Sequence, residues 1–381
     1  MKDIQQIVHH YQDLLDIKLY LVGGSVRDKL LNIPHTDLDF TTPTQPDDIE
    51  AAVKKAGFKP FIIGKRFGTV AFKDLHSFFQ LSTLDPRPST PNSELRTPNS
   101  ELIEITTFRT ETYGKTRKPQ VEFVQDITAD LSRRDFTVNA MAIDDEGRLI
   151  DPFEGYADLK AEKIRFVGNP SVRINEDPLR MLRACRLSAQ FDFVPTTETK
   201  LRITQNAHKI LNISKERWTS EMDKILTSRH PHRGLDMLVQ TELLRYILPE
   251  IWIQYHYDQN SPYHRLSLFE HTKKTVQMVE NDINIRWAAL LHDVGKPFTR
   301  ADKTISKHLF NITGLKESVK RLWKRDTQAN YPHHAELGAE FVEKIGKHLR
   351  WSTKRIETTK KMVLNHLKGG SPIGEADSNS R

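Results

Sequence analysis

The sequence changes character near residue 150, and this change constrains the fold more than any other feature. Before it, short apolar segments alternate with amphipathic ones, a pattern typical of a mixed sheet with helices. After it, apolar residues recur at helical spacing. A chain of 381 residues is too long for a single ordinary hydrophobic core, so we expect more than one domain. The two patterns predict an α+β protein with a mixed α/β head followed by all-α domains. The helices predicted after residue 150 include about 177–191, 197–211, 214–227, 232–245, 267–281 and 285–293.

Composition narrows the cellular setting. The 57 Lys and Arg against 50 Asp and Glu give a formal charge of +7, which is compatible with a polyanionic partner but does not require one. The single cysteine, Cys185, excludes an internal disulfide and suits a reducing cytosol. The N-terminal segment is amphipathic and charged, and no apolar run approaches membrane-spanning length. We therefore expect a cytoplasmic protein without a membrane segment.

The segment LVGGSVRD (21–28) predicts a strand, a Gly-Gly turn and the start of a helix. Gly23 and Gly24 would let a phosphate group approach the backbone, and Arg27 could add a charge-assisted contact. Ser25 is placed as the N-cap of the helix. These residues form a candidate nucleotide-binding turn, although most turns of this kind are only structural.

Two carboxylates lie two positions apart in the next predicted strand, HTDLDF (35–40). Asp37 and Asp39 would project from the same face, and adjacent like charges cost free energy unless a cation lies between them. Glu104, in the strand-like segment LIEITTFR (102–109), is a candidate third acidic group. The pattern indicates an Mg²⁺ site for phosphoryl transfer, and a solvated edge strand is the alternative.

The segment SRRDFTVNAMAID (132–144) places Arg133, Arg134 and Asp135 directly before an apolar stretch. Such charges are expected at a structural boundary that faces a cleft. The alternative is a solvated turn.

The segment INEDPLRMLRACR (174–186) opens a predicted helix. Asp177 and Arg180 are three positions apart and therefore neighbours on the helix surface, and Arg183 and Arg186 continue at the same step. An ordinary ion pair within the helix is the alternative.

In this order, GGSVRD, DLDF, RRDFTVNAMAID and EDPLRMLRACR, with a weaker match at ISKERW (213–218), resemble the class II tRNA nucleotidyltransferase and poly(A) polymerase family. The resemblance covers about residues 18–225. It implies a nucleotidyltransferase head, placed at 1–148, followed by a helical neck, placed at 149–228. Within the head, the tandem TPNSELR repeat with its prolines and polar residues predicts a low-complexity loop insertion at 85–102. The resemblance implies that Asp37 and Asp39 bind the catalytic metals, and Glu104 stays the candidate third acidic, catalytic group. The other implied roles are triphosphate binding by Gly24 and Arg27, sugar and phosphate contacts by Arg134 and Asp135, and nucleotide contacts by Asp177, Arg180, Arg183 and Arg186.

The donor and acceptor chemistry of Asp177 and Arg180 fits the base-reading role that the resemblance implies. An ionised Asp only accepts hydrogen bonds and an Arg only donates them. Cytosine and adenine each present an amino donor beside a ring-nitrogen acceptor, whereas uracil and guanine present the reverse. Because unpaired buried polar groups are costly, one Asp–Arg pair can accept C and A while rejecting U and G.

A second resemblance covers residues 264–366. FEHTKKTVQ, AALLHDVGKP, YPHHAE and LNHL resemble the HD superfamily of metal-dependent phosphohydrolases. It implies that His271, His292 and Asp293 hold a divalent transition metal, with His334 as a further ligand. His333 is an equally available neighbour of His334, His366 is another candidate, and the usual late Asp is not evident. A degenerate module that serves packing or RNA binding is the alternative.

These patterns favour template-independent addition or repair of the 3′-terminal CCA of tRNA with CTP and ATP. The alternatives within the family are enzymes that add only A or only CC, and a bacterial poly(A) polymerase. From other classes, the chain could be an HD phosphohydrolase with an inert RNA-binding head, or a non-catalytic RNA-binding protein. The region 229–368 is expected to combine tRNA binding with the HD module, and 369–381 to be a disordered tail. The oligomeric state is not indicated.

Overall fold

The computed structural model describes residues 2–33, 37–61, 67–74, 101–114, 119–257, 266–299, 331, 333–368 and 373. The chain divides into two compact units, Met1–Glu176 and Asp177–Arg381. The first contains a mixed sheet and the second is mostly helical, so the predicted α+β class is confirmed. The predicted domain limits stay predictions, and the low-complexity segment up to residue 100 and nearly all of the predicted tail lie outside the described residues.

Within the described residues, eight strands lie before residue 151 and two short strands follow later in the chain. They are β1 Tyr20–Val22, β2 Asp37–Thr42, β3 Thr69–Asp74, β4 Glu101–Thr107, β5 Arg109–Thr112, β6 Gln120–Phe123, β7 Ala142–Ile143, β8 Leu149–Ile150, β9 Lys163–Ile164 and β10 Val194–Pro195.

Six of these strands form one mixed sheet in the order β3-β4-β2-β1-β7-β8, and β5 pairs with β6 in a separate hairpin. Strand β2 runs parallel to β4, and the other neighbours in the sheet are antiparallel. The register of β2 and β4 sets Asp39 opposite Glu104. Two segments far apart in the chain therefore bring their acidic residues together at the centre of the sheet.

The described helices of the first unit include one that covers the apolar face of β2. Tyr11 packs its ring against Phe40 and Phe72, with ring centroids 5.6 and 6.3 Å apart. Because successive residues of a strand alternate in direction, burying Leu38 and Phe40 leaves Asp37 and Asp39 on the opposite face. The helices are α1 Lys2–Leu15, α2 Gly24–Leu30, α3 Pro46–Lys55, α4 Ile127–Ser132, α5 Gly155–Lys160 and α6 Pro170–Glu176, with a 3₁₀ turn at Thr137–Asn139.

The second unit follows the predicted helical pattern closely. The helix predicted at 232–245 is divided in two, because Glu242 adopts a left-handed backbone with φ of 60°. No helix within the described ranges is both long and apolar enough to span a bilayer. The helices are α7 Arg180–Phe191, α8 Thr197–Asn206, α9 Lys215–Leu226, α10 Pro231–Gln240, α11 Leu243–Ile247, α12 Pro249–Tyr255, α13 Leu268–Met278, α14 Ile283–Leu291, α15 Lys296–Thr299, α16 His334–His348 and α17 Thr353–Leu364, with a 3₁₀ turn at Ala207–Asn212.

One carboxylate joins α9 to helices much later in the chain. Asp223 accepts hydrogen bonds from both terminal nitrogens of Arg355 at 2.9 and 2.7 Å, and from the indole nitrogen of Trp287 at 2.7 Å. The Arg355 guanidinium also lies 4.5 Å from the ring centre of Trp351. These contacts tie the predicted neck helix to the later helices, which is why both belong to one compact unit.

Candidate functional site

Three carboxylates face one another across β2 and β4. Asp37 is exposed, whereas Asp39 and Glu104 are half-buried. Burial and the neighbouring charge of Glu104 raise the pKa of Asp39 to about 6, against the opposing effect of Arg134. Burial and the charge of Asp37 also raise the pKa of Glu104. The three groups therefore repel one another electrostatically, and a cation held among them would relieve that repulsion.

The structure brings these carboxylates into one region without closing them into a tight ligand set. In the part of the chain that the structure describes, the groups of three or more His, Cys, Asp or Glu with ligand atoms all within 4.8 Å of one another lie in the second unit. Carboxylate oxygens are nevertheless the ligands that Mg²⁺ prefers, and it retains several waters in such sites. The donor chemistry of Asp37, Asp39 and Glu104 therefore fits a hydrated Mg²⁺ ion.

The Gly-Gly turn lies beside these carboxylates. Gly23 has a φ of +69°, and a Cβ atom built there would lie 2.7 Å from a terminal nitrogen of Arg134. The helix begins at Gly24, so the prediction of Ser25 as the N-cap is wrong. The Ser25 hydroxyl instead accepts a hydrogen bond from the backbone N–H of Asp39 at 3.0 Å and lies 3.3 Å from the carbonyl oxygen of Asp37, to which it donates. The side chain thus pins the turn to the strand that carries both carboxylates.

Arg134 is the arginine of the RRD segment whose guanidinium has capacity for a further acceptor. Its one side-chain hydrogen bond goes to Asp130 at 3.4 Å, and its Nε atom is buried without a hydrogen-bond partner. Burial lowers the pKa of the guanidinium, opposed by the charges of Asp130 and Asp39. A buried donor of this kind suits an anionic ligand such as a phosphate.

Arg133 is held in a network that the sequence reasoning missed. Asp130, which is fully buried, accepts hydrogen bonds from the Nε and a terminal nitrogen of Arg133 at 3.0 and 2.9 Å. Arg133 also donates to Glu111 at 3.0 Å, and Glu111 accepts from Arg109 at 3.1 Å. Asp130 precedes Arg133 and Arg134 by three and four positions, a spacing that predicts contact at the end of a helix and could have identified it.

The predicted base-reading residues lie at the start of α7. The helix begins at Arg180, so Asp177 precedes it and accepts hydrogen bonds from the backbone of Leu179 at 3.1 Å and from Arg217 at 2.8 Å. Arg186 donates to Glu221 at 3.0 Å. Arg217 and Glu221 are both on α9 and were not predicted as site residues, although the ISKERW match points to this helix.

The second unit contains a buried cluster of four histidines around one carboxylate. One oxygen of Asp293 lies 3.4 Å from His271 and 3.1 Å from His292, and the other lies 3.5 Å from His334 and 3.8 Å from His366. All five side chains are buried. His333 is exposed and pairs with Glu336, so the structure places His334 in the cluster and His333 outside it.

The tautomers of these histidines follow from their backbone partners. The Nδ1 atoms of His292, His334 and His366 lie 2.7 to 2.8 Å from carbonyl oxygens, which only accept hydrogen bonds. The Nδ1 atoms therefore carry the protons, and each Nε2 offers a lone pair towards Asp293. Burial lowers the pKa of His334 and lowers that of His366 to about 4. Neutral imidazoles beside a carboxylate fit a divalent transition metal.

Known sequence families match the chain in the same order as these features. The Poly A polymerase head domain matches residues 19–101 and 93–165, and the family described as the probable RNA and SrmB-binding site of polymerase A matches 192–254. The HD domain matches 264–378. Most of the first unit therefore matches the Poly A polymerase head domain.

Two curated relatives show how far the similarity extends. The chain is 31% identical over 354 residues to the CCA-adding enzyme of Enterococcus faecalis, covering 90% of this chain and 77% of that protein. It is 40% identical over 229 residues to the CCA-adding enzyme of Ligilactobacillus salivarius, covering 60% of this chain and 50% of that protein. The chain belongs to the CCA-adding enzyme family. It spans about half the length of the Ligilactobacillus relative.

Solved structures share the fold. The Bacillus stearothermophilus CCA-adding enzyme in complex with CTP aligns with a TM-score of 0.55 and 25% identity, covering 100% of this chain and 82% of that one. The Thermotoga maritima CCA-adding enzyme complexed with tRNA aligns with a TM-score of 0.54 and 20% identity, covering 99% and 81%. At 20% identity, the similarity to the Thermotoga maritima structure shows a shared fold alone.

The repulsion among the head carboxylates predicts that Asp39→Asn stabilises the protein at pH 8 in the absence of divalent metal. Because folding raises the pKa of Asp39 from its ordinary value of 3.8 to about 6, its ionised form is disfavoured in the folded state. The destabilisation is absent below about pH 4, grows towards pH 6 and is complete above it. We expect a gain of about 1–3 kcal/mol at pH 8 that disappears on acidification, measured by urea unfolding.

Asp48→Asn is the matched control, since Asp48 is an exposed carboxylate on α3. It should show no gain at pH 8. Mg²⁺ should raise the stability of the wild type more than that of Asp39→Asn. An Asp39→Asn variant no more stable than the wild type at pH 8 would contradict this electrostatic account.

Proposed function

We propose that this chain completes or repairs the 3′-terminal CCA of tRNA, using CTP and ATP without a nucleic-acid template. The observation that carries the proposal is the pairing of β2 with β4, which sets Asp39 opposite Glu104 beside Asp37. Arg134 adds a buried donor on the same side of the site, since its charge acts directly on Asp39. Membership of the CCA-adding enzyme family supports this assignment, and the proposed setting is the cytoplasm.

In this proposal, Asp37 and Asp39 hold Mg²⁺, with Glu104 as the third acidic group. The metal would supply a Lewis acid that lowers the pKa of the tRNA 3′-hydroxyl and neutralises charge on the triphosphate. The 3′-oxygen forms a bond to the α-phosphorus, the bond to pyrophosphate breaks, and the hydroxyl proton passes to solvent or a carboxylate. Arg27 and Arg134 bind the phosphate oxygens, and the Gly23–Gly24 turn leaves room for them.

Base selection is proposed for Asp177 and Arg180, with Arg183 and Arg186 in the same nucleotide site. The contact of 2.8 Å between Asp177 and Arg217 would fix the orientation of the carboxylate, so that it accepts from the amino group of C or A. A uracil or guanine would present a carbonyl oxygen to the same carboxylate, and the resulting repulsion favours rejection.

The experiment supplies tRNAs that end before CCA, after C and after CC, with Mg²⁺ and with CTP, ATP or both. We expect CTP alone to stop after CC, ATP alone to extend only the tRNA that ends in CC, and both together to complete CCA. Asp37→Ala should lower the rate of addition by about a thousandfold or more because a metal ligand is lost, with tRNA binding retained. Asp48→Ala serves as the control and should add nucleotides at the wild-type rate.

Other products would redirect the assignment within the family. Long adenosine tails would indicate a poly(A) polymerase, and addition of only A or only CC would indicate a partial enzyme. If none of the tRNAs is extended by the wild type, or if Asp37→Ala adds nucleotides within tenfold of the wild-type rate, the proposed function or its metal site is wrong.

A second activity, metal-dependent hydrolysis of phosphate esters, is proposed for the cluster of His271, His292, Asp293, His334 and His366. The observation that favours it is that three Nε2 lone pairs point towards Asp293, since their Nδ1 atoms are engaged by backbone carbonyls. A transition metal bound there would supply an activated water. Lys296, whose Nζ lies 2.6 Å from Asp293, would neutralise part of the charge of a phosphate ester.

His333, directly before α16, and His334, the first residue of α16, provide a matched pair for testing this centre. His334→Ala should lower the content of bound Ni²⁺, Co²⁺ or Mn²⁺ and the hydrolysis of phosphomonoesters or 2′,3′-cyclic phosphates. His333→Ala should change neither, because His333 is exposed and outside the cluster. Metal content is measured by mass spectrometry after dialysis. Equal metal content and hydrolysis in the two variants, or a wild type that binds none of these metals, would mean that the cluster is structural.

A further inference from the structure

Asn139 lies between two of the proposed nucleotide-binding residues, which come from different segments of the head. Its side-chain oxygen accepts a hydrogen bond from Arg27 at 2.5 Å, and its side-chain nitrogen donates to a carboxylate oxygen of Asp135 at 3.1 Å. Arg27, Asp135 and Asn139 are 9%, 5% and 8% exposed, so solvent contributes little to these contacts. One amide therefore links the Gly-Gly helix to the RRD segment.

An amide is the side chain that this position requires. An arginine only donates and an ionised carboxylate only accepts, so the residue between them must present one acceptor and one donor. A reversed amide would set its NH₂ group against Arg27 and its oxygen against Asp135, which would break both hydrogen bonds. An aspartate would keep the contact with Arg27 but place a second carboxylate against Asp135. The orientation of Asn139 is therefore fixed by its two partners.

The backbone around Asn139 holds the amide in place. Asn139 ends the 3₁₀ turn at Thr137–Asn139, and its backbone N–H donates to the carbonyl of Phe136 at 2.9 Å. The carboxylate oxygen of Asp135 that accepts from Asn139 also accepts from the backbone of Phe136 at 2.8 Å. Arg27 is likewise tethered to Asp28 by contacts of 2.8 and 2.7 Å. Each partner thus has a second anchor, and Asn139 sets the spacing between them.

We infer that Asn139 is a positioning residue for the incoming nucleotide. It orients Arg27 towards the triphosphate and Asp135 towards the ribose. The two side chains that contact one nucleotide are thereby held at a fixed spacing. This inference rests on the proposed function, on the proposed contact of Arg27 with phosphate, and on the sugar contact that the family resemblance implies for Asp135. It predicts that Asn139 acts on nucleotide affinity and on the choice between ribose and deoxyribose.

The test compares Asn139→Ala, which loses both contacts, with the isosteric Asn139→Asp, which keeps an acceptor for Arg27. For Asn139→Ala we expect kcat/KM for CTP to fall by about tenfold to a hundredfold, mostly through KM, because two hydrogen bonds to charged groups are lost. Discrimination between CTP and dCTP should fall in both variants, because both lose the donor to Asp135. The rise in KM should be smaller for Asn139→Asp.

Gln12 provides a matched control in the same head. Its amide also links a carboxylate to a donor, with contacts of 2.8 Å to Asp145 and 3.1 Å from the backbone N–H of Leu19. Gln12→Ala should leave KM and the ratio of CTP to dCTP use unchanged. Melting temperatures of all variants separate loss of folded protein from loss of positioning.

The inference is overturned if Asn139→Ala lowers only the melting temperature, with KM and the sugar preference of the folded protein equal to those of Gln12→Ala. If the wild type adds no nucleotide to any tRNA, the proposed function itself has failed. The dissociation constant of Mg²⁺–CTP, measured by calorimetry, then still decides the role of Asn139. A larger dissociation constant for Asn139→Ala than for Gln12→Ala supports the positioning role, and equal dissociation constants reject it.

Discussion

Electrostatic repulsion among Asp37, Asp39 and Glu104 is the constraint on which the proposed metal site in the head depends. The sheet creates it, because the apolar residues of β2 are buried under α1 and the carboxylates must project from the other face. The register between β2 and β4 then adds Glu104 beside Asp39. A fold selected for stability alone would have little reason to place three acidic groups together, so the cost indicates a function that needs them.

The two arginines near this site are held so that one of them can still bind an anion. Arg133 is neutralised by Asp130 and Glu111, whereas Arg134 keeps a buried Nε without a partner and lies against Gly23. Glycine is favoured there by its φ of +69°, and a Cβ atom would also displace a terminal nitrogen of Arg134. Asp130 therefore binds two adjacent arginines unequally. Arg133 is engaged in structural ion pairs, whereas Arg134 retains a donor that can bind an anion.

Local sequence pattern predicted much of this arrangement, and the failures have physical causes. The two-residue spacing of Asp37 and Asp39 and the helical periodicity after residue 150 depend only on short-range geometry, so they could be read directly. The pairing of Asp39 with Glu104 depends on a parallel contact between strands that sets together two residues 65 positions apart, which no local pattern specifies. Ser25 was misplaced because the positive φ of Gly23 lets the helix start two residues earlier than a Ser25 N-cap would.

In the second unit, too, local sequence pattern does not specify contacts between distant segments. Asp177 and Arg180 have helical spacing, but Pro178 and Leu179 form a turn before the helix, and Arg217 reaches Asp177 from another helix. The choice between His333 and His334 could not be made from their sequence, since both are histidines in one motif. It depends on the position at which α16 begins, which turns His334 inwards and leaves His333 exposed.

The claim that a cation held by the head carboxylates acts on the α-phosphate can be measured directly with phosphorothioate nucleotides. The two diastereomers of α-thio-CTP are added to tRNA that ends before CCA, with Mg²⁺, Mn²⁺ or Cd²⁺. We expect one diastereomer to react at least about tenfold more slowly than CTP with Mg²⁺, and the softer ions to restore its rate in the wild type but not in Asp39→Asn. Equal rates for CTP and both diastereomers with Mg²⁺, or a slow diastereomer that no softer ion restores, would contradict the account.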